Sequence, residues 1–506
     1  MDQQFLLAKK YPSSQKTRLF NVLLSSSLLF NVVLLLLLLL LGKHYQLPKD
    51  GGAIDSLQGV AAGWSRKAAA EAESAAKYHC SGHGYVFVDT SLSLNSDEDG
   101  TPACECNDCY TGTDCSQFVP DCVANAESGD PVFLEPFWIA NAEAAATVVP
   151  AWYRMGYRIM DGLEKMVSPE LEKQIRAIHS LAGNAVTEGR YIVLGTGSMQ
   201  LINAAVNSLS PIHAQNPNPA GVVSAMPFYG AYKDQTEMFE SLDFSWNGDA
   251  NAWIKRAESL NSTTFIEFVT SPNNPDAMIR EAVLNGRNVK TVYDHAYYWP
   301  HFTAITRPAD EDVMLFTLSK LTGHAGSRLG WAIVKDYDVY LKMYQYVLVN
   351  TLGVSHDTQL RATRLLKVAL SAYEKGKRMP TGRLEDQKQL LFHYGYGVMR
   401  RRWQRLQRIF RGSDRYSLQG LRPAYCTFFK TVTGPSPAYA WVKCEREEDG
   451  DCAAVLKSGG IIGRGAESFG ADKRYVRLSL LKRDDNFAIL ESRLQALISH
   501  NFSAAS

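Results

Sequence analysis

Residues Phe20 to Leu41 read FNVLLSSSLLFNVVLLLLLLLL, without one charged side chain. That is about the 20 residues a helix needs to cross a bilayer, and it exceeds the apolar stretch of a cleaved signal. Lys9, Lys10, Lys16 and Arg18 precede the run and Lys43 follows it. Positive charge gathers on the cytosolic side, so the N-terminus is expected in the cytosol and the remainder in a lumen. A cleaved signal is the alternative; no small-x-small site follows the leucines to support it. The expectation is a single-pass endomembrane protein, with the endoplasmic reticulum as compartment.

The cysteines agree with an oxidising lumen. Cys80, Cys104, Cys106, Cys109, Cys115 and Cys122 crowd into one short stretch. In such a compartment an even cluster reads as a disulfide framework. Zinc is the competing reading of the Cys106-x-x-Cys109 spacing, and no metal is expected. The sequons at Asn261 and Asn501 are candidate glycan acceptors. The chain therefore divides into a tail and anchor (1–42), a stem (43–77), a cysteine module (78–122) and a main domain (123–506). The module is too small for its own apolar core. A net charge of +1 offers no electrostatic case for nucleic acid as a partner.

Within the main domain, short apolar runs at Tyr191–Leu194, Val222–Ala225, Thr264–Thr270, Val289–Tyr293, Val313–Leu318 and Leu329–Val334 alternate with polar or helical stretches. This pattern predicts an α/β fold with a mostly parallel, buried sheet. Ligands of such sheets bind at the carboxyl ends of the strands. The large subdomain is expected over about 184–355, and a smaller α+β one over 123–183 plus 356–506.

Residues suited to one chemistry follow these strands. Lys320, just past Met314–Leu318, is placed to have its amine neutralised by burial, which frees a nucleophile for an imine. Arg328, eight residues on, offers a phosphate fork. Thr317 and Ser319 add hydroxyls, and Gly195-Thr196-Gly197-Ser198-Met199 opens a helix whose N–H groups suit the same anion. Asp294 ends a strand where a buried carboxylate can pair with a protonated pyridine nitrogen. Tyr297 and Asn274 are donors for a ring oxygen, and Tyr229 is an aromatic to stack on the ring. Arg477, alternating with apolar residues in Tyr475-Val476-Arg477-Leu478-Ser479, calls for an anionic partner such as a substrate carboxylate. Arg400 to Arg411 forms a basic amphipathic helix, read as a solvated face of the smaller subdomain.

Phosphate loop, stacking aromatic, Asn-Pro, Asp-x-x-Tyr, Lys, Arg eight residues later and a C-terminal Arg follow one another in the order of fold-type I pyridoxal-phosphate (PLP) enzymes, the aspartate-aminotransferase superfamily, which this chain resembles. Within it, Ser319-Lys320-Leu321-Thr322-Gly323-His324-Ala325-Gly326-Ser327-Arg328 resembles the alliinase and tryptophan-aminotransferase-related branch. Cys80-Ser81-Gly82-His83-Gly84 with Cys104-Glu105-Cys106-Asn107-Asp108-Cys109 resembles the epidermal-growth-factor-like (EGF-like) module of alliinases. The resemblance implies PLP on Lys320 as a Schiff base, and a homodimer in which Tyr157 reaches the partner's site. The family motif around Tyr157 has His and Ser where this chain has Tyr153 and Gly156. It also implies the pairs Cys80–Cys104, Cys106–Cys115, Cys109–Cys122 and Cys444–Cys452, with Cys426 free. Two activities follow: an aminotransferase taking L-tryptophan or a similar amino acid to its 2-oxo acid for auxin synthesis, or a carbon–sulfur lyase releasing pyruvate from cysteine sulfoxides.

Overall fold

The computed structural model describes residues 78–87, 103–159, 166–212, 218–256, 263–376 and 389–503, with Lys67, Ala70 and Ser74 before them. The chain divides after Lys67 into two units; the apolar run Phe20–Leu41 and the sequon at Asn261 lie outside the described residues. Among the described residues, no helix is long and apolar enough to cross a membrane.

The second unit is built on a seven-stranded sheet. Its strands are β1 (Tyr191–Gly195), β2 (Ala220–Ser224), β3 (Phe244–Asp249), β4 (Phe265–Thr270), β5 (Val289–Asp294), β6 (Val313–Thr317) and β7 (Gly330–Val334). They lie in the order β1-β7-β6-β5-β4-β2-β3. Every neighbouring pair is parallel except those of β7, which runs antiparallel to both β6 and β1. All five residues of β6 are buried because both faces of the sheet are covered. Val313 and Leu315 join a cluster with Leu201, Tyr340 and Met343, while Met314 and Phe316 face one holding Trp299 and Trp331.

One local expectation is corrected. Leu318 lies not in the strand but at the start of the short helix α-turn Leu318–Leu321, because Thr317 caps that turn by accepting from the Ser319 amide. β7 follows two short helical turns and runs antiparallel to both neighbours, so the sheet is mostly parallel with one antiparallel strand, in line with the sequence pattern. β3 was unread, since Ser245, Asn247 and Gly248 break the apolar run of this edge strand.

The smaller subdomain has a four-stranded antiparallel sheet of β8 (Tyr416–Leu418), β9 (Tyr439–Cys444), β10 (Arg464–Gly465) and β11 (Tyr475–Ser479), in the order β8-β9-β11-β10. The basic helix Leu391–Phe410 packs beside it. Arg402 of that helix is buried and donates to the carbonyls of Leu480 and Lys482 and to Asp484, so it is a structural cation.

The cysteine module forms two small antiparallel pairs of two-residue strands, held by Cys80–Cys104, Cys106–Cys115 and Cys109–Cys122, the pairing the resemblance implied. Cys444–Cys452 is the fourth disulfide and buried Cys426 is in none. The module's own apolar cluster is little more than Cys80, Val86 and Cys115, so it leans on the C-terminal helix Asp484–Ser503. Asp485 accepts from Asn107 Nδ2 at 2.7 Å and bonds His83 Nδ1 at 3.0 Å. Asp108 accepts from Asn486 Nδ2 at 2.9 Å, and Arg493 donates to the carbonyls of Pro120 and Cys122. Asn501 falls in the last turn of that helix.

Candidate active site

The carboxyl ends of β4, β5 and β6 open into a cavity of about 230 Å³, closed on its other side by the smaller subdomain. Lys320 enters it from the turn after β6. Its amine donates to the Gly129 carbonyl at 2.5 Å and stands 5.6 Å from the Tyr297 ring centre. Burial pushes the lysine below its ordinary pKa, against the pull of Tyr439, Asp130 and Asp294. A neutral amine here is a nucleophile and a base.

Asp294 ends β5 and is 4% exposed. It accepts from the Tyr232 hydroxyl at 2.9 Å and from the Ala296 amide at 3.0 Å. Burial nevertheless raises its pKa, so its anionic form calls for a cation inside the cavity. Tyr232 also bonds the Thr270 hydroxyl at 2.6 Å, which fixes the carboxylate's orientation from beneath.

The opposite wall is the anion cradle. Gly197 has φ +78° and caps the helix Ser198–Leu209 with no side chain over its first N–H groups. A Cβ there would fall 2.5 Å from Arg328 Nη2, so the loop and the guanidinium are in close packing. Ser198, Met199, Thr317, Ser319 and Arg328 all line the cavity. The amide and hydroxyl of Thr196 both go to Gln200 Oε1, at 2.9 and 3.0 Å, so Thr196 holds the turn and does not face the cavity.

Tyr229, Asn274 and Tyr297 line the middle of the site. The Tyr297 hydroxyl lies 2.5 Å from that of Tyr439. Burial acts to raise both phenols. At Tyr439 the nearby Arg477 and Lys320 charges outweigh it and hold the phenol below its ordinary range, while Tyr297 is pushed well above. Arg477 is 1% exposed and lies over the Tyr439 ring at 4.1 Å. Among the described residues it has no carboxylate partner, and its Nε has no hydrogen-bond acceptor. Such a buried guanidinium suits a substrate carboxylate.

Tyr157 is 73% exposed on the segment with Trp152 and Met155 and lies outside this cavity. Sequence reasoning missed Gly129, Asp130, Thr270, Tyr439 and Arg464, which also line it, and Tyr232. Tyr232 and Thr270 lay close to residues already singled out: Tyr232 is three residues after Tyr229, in the helix Ala231–Met238, and Thr270 ends β4 four residues before Asn274; Gly129, Asp130, Tyr439 and Arg464 come from distant segments.

The donor set fits PLP. Asp294 would hold the ring nitrogen, Asn274 and Tyr297 the ring oxygen, Tyr229 the ring face, and Lys320 the aldehyde carbon. The cradle of Ser198, Thr317, Ser319 and Arg328 would hold the phosphate. Fold and site together define a fold-type I PLP-dependent enzyme. The chain belongs to the allinase family: the model of that description matches residues 124–498, and the alliinase EGF-like domain matches residues 63–122, beginning inside the segment read as stem. It is 47% identical to tryptophan aminotransferase-related protein 4 of Arabidopsis thaliana, over 86% of this chain and 90% of that one. It is 44% identical to an alliin lyase of Allium cepa var. aggregatum, over 86% and 94%. The aspartate aminotransferase from Rhizobium meliloti shares the fold, with a TM-score of 0.51 at 17% identity over 75% of this chain and 92% of that one.

Proposed function

We propose that this protein is an aminotransferase that converts L-tryptophan, or a similar aromatic amino acid, to its 2-oxo acid, indole-3-pyruvate in the case of tryptophan, in the service of auxin synthesis. The observation that carries the reading is Lys320, a depressed-pKa amine facing the same cavity as the buried guanidinium of Arg477, which has no carboxylate partner among the described residues. Bound PLP supplies an aldehyde for the substrate amine and a ring that withdraws electrons from the α-carbon. Arg477 holds the α-carboxylate, Asp294 keeps the ring's charge, and Lys320 removes the α-proton. Where Lys320 redelivers that proton separates transamination from loss of a β-substituent.

Similarity to a tryptophan aminotransferase-related protein and the tethered layout read from Phe20–Leu41 favour transamination. The alliinase-type module favours the second reading, a carbon–sulfur lyase. The proposal includes a luminal enzyme anchored by its N-terminal run, glycosylated at Asn261 and Asn501, and a homodimer joined through the exposed segment around Tyr157.

The test gives the PLP-loaded full chain L-tryptophan with pyruvate or 2-oxoglutarate and, separately, an S-alkyl cysteine sulfoxide without acceptor. Acceptor-dependent indole-3-pyruvate is expected. Pyruvate released from the sulfoxide, with no oxo acid formed from tryptophan, would replace the aminotransferase by the lyase.

A further inference from the structure

A second cavity, of about 350 Å³, lies where the cysteine module meets the catalytic domain. Tyr85 and Phe87 reach it from the module, and Trp138 and Ile139 from the helix Glu135–Ala140. His324 comes from the turn past Lys320, and Arg361 from the helix His356–Gly376. Among the described residues, none lines both this cavity and the catalytic one. The two are neighbours nonetheless, since Gly129 and Asp130 line the first and Pro131 and Val132 the second. A ring-lined hollow of this size between structural units has the usual form of a small-molecule site.

The charges around it do not cancel. Glu135 is matched by Arg483, whose Nε and Nη2 donate to its two oxygens at 2.6 and 2.7 Å. The Thr322 hydroxyl donates to the Leu318 carbonyl and accepts from His324 Nδ1 at 3.0 Å. Burial, helped by the Arg361 charge, lowers the His324 ring from 6.5 to about 4, so it is neutral near pH 7. Arg361 makes no hydrogen bond or ion pair with any described residue, and an arginine does not shed its proton. One positive charge is thus left at the rim of a cavity walled by aromatic rings.

We propose that this cavity is a ligand site of its own, which takes a small aromatic monocarboxylate, with the ring among Tyr85, Phe87 and Trp138 and the carboxylate on Arg361. One unbalanced cation calls for one anion, and a planar guanidinium suits a carboxylate. Phe87 is 40% and Ile139 44% exposed, apolar surface that the ligand's ring covers. The wall behind it is already set. Trp138 Nε1 donates to the Thr322 carbonyl at 2.6 Å, and its ring lies edge-on to His324 at 5.1 Å. Little ordering is therefore needed on binding. The occupant rests against the turn that carries Lys320, and the inference holds whichever reaction that lysine runs.

The test titrates 2-naphthoate, and its neutral counterpart 2-naphthamide, calorimetrically into the PLP-loaded full chain. Neither carries an amino or oxo group, so neither reacts. The acid can also lie on Arg477, and the site in question is the additional one. Two acid sites per chain are expected. Arg361→Gln should weaken the additional site about tenfold, the worth of one modest charge-assisted contact, and the amide should bind the unaltered protein there as weakly. Ile139→Trp, which fills the cavity from an exposed position, should abolish that site. Both changes lie outside the catalytic cavity, so bound-cofactor absorbance and turnover should stay as in the unaltered protein, which shows that the fold is kept. A single acid site, or an additional site that either substitution leaves unmoved, would overturn the proposal.

Discussion

Arg477 crosses from the smaller subdomain to the larger one to donate, through Nη1, to Asn274 Oδ1 at 2.9 Å. An arginine only donates, so this bond settles which way the amide points and leaves Nδ2 as the donor for the cofactor's ring oxygen. Substrate and cofactor sites therefore share one buried bond. Asn274→Asp should turn it into an ion pair that competes with the substrate carboxylate and removes the ring donor. A rise in amino-acid KM of roughly thirtyfold, near 2 kcal/mol, is expected together with a shifted cofactor absorption band. Steady-state kinetics and an absorbance spectrum check it; a raised KM with an unmoved band would detach Asn274 from the cofactor.

Gly197 has φ +78° and no room for a Cβ beside Arg328 Nη2. Gly197→Ala therefore strains the backbone and displaces the phosphate fork at once. PLP affinity should fall by at least about tenfold, or ~1.4 kcal/mol. Fluorescence titration of the cofactor-free protein measures this, and full retention of affinity would move the phosphate elsewhere.

The EGF-like module is anchored through Asp485, which serves both Asn107 and His83. Asp485→Ala removes a charged acceptor from two donors and should cost about 2 kcal/mol of docking. Limited proteolysis should then cut between the module and the catalytic domain sooner than in the unaltered protein, with its disulfides intact. Unchanged cleavage times would mean that Asn486 and Arg493 suffice.

Much of this site was legible in the sequence because its residues follow apolar strands at fixed short spacings. Asp294, Thr317, Ser319, Lys320 and Arg328 sit within one turn or loop of a strand end, so a local reading places them together. Tyr439, Gly129 and Arg464 line the same cavity but come from segments far apart in the chain, and nothing in their neighbours marks them. Thr196 lies in the phosphate loop, where the Gln200 side chain one helical turn later accepts from both its amide and its hydroxyl, a bond the sequence did not announce. β3 escaped because an edge strand needs little apolar sequence.

His179 and His301 are fully buried in the core behind this site. Trp331 Nε1 donates to His179 Nε2 at 2.9 Å, so that nitrogen carries no proton, and Nδ1 donates to Asn184. His301 Nε2 lies 3.1 Å from the Lys320 carbonyl and donates to it. Burial lowers both rings from 6.5 to about 4. A base with a depressed folded pKa is neutral in the folded chain where the unfolded chain is already protonated. Stability should therefore fall as pH drops from 6.5 to about 4, by on the order of 3 kcal/mol for each ring, and these rings add no further loss below that. Urea midpoints at pH 7, 6 and 5 should show the decline. In His301→Phe, which keeps the ring's shape and forfeits one hydrogen bond, the slope should lessen by about 1.4 kcal/mol per pH unit. An unchanged slope would mean that His301 is already charged when folded, with a cation buried against the backbone of the residue that carries the cofactor.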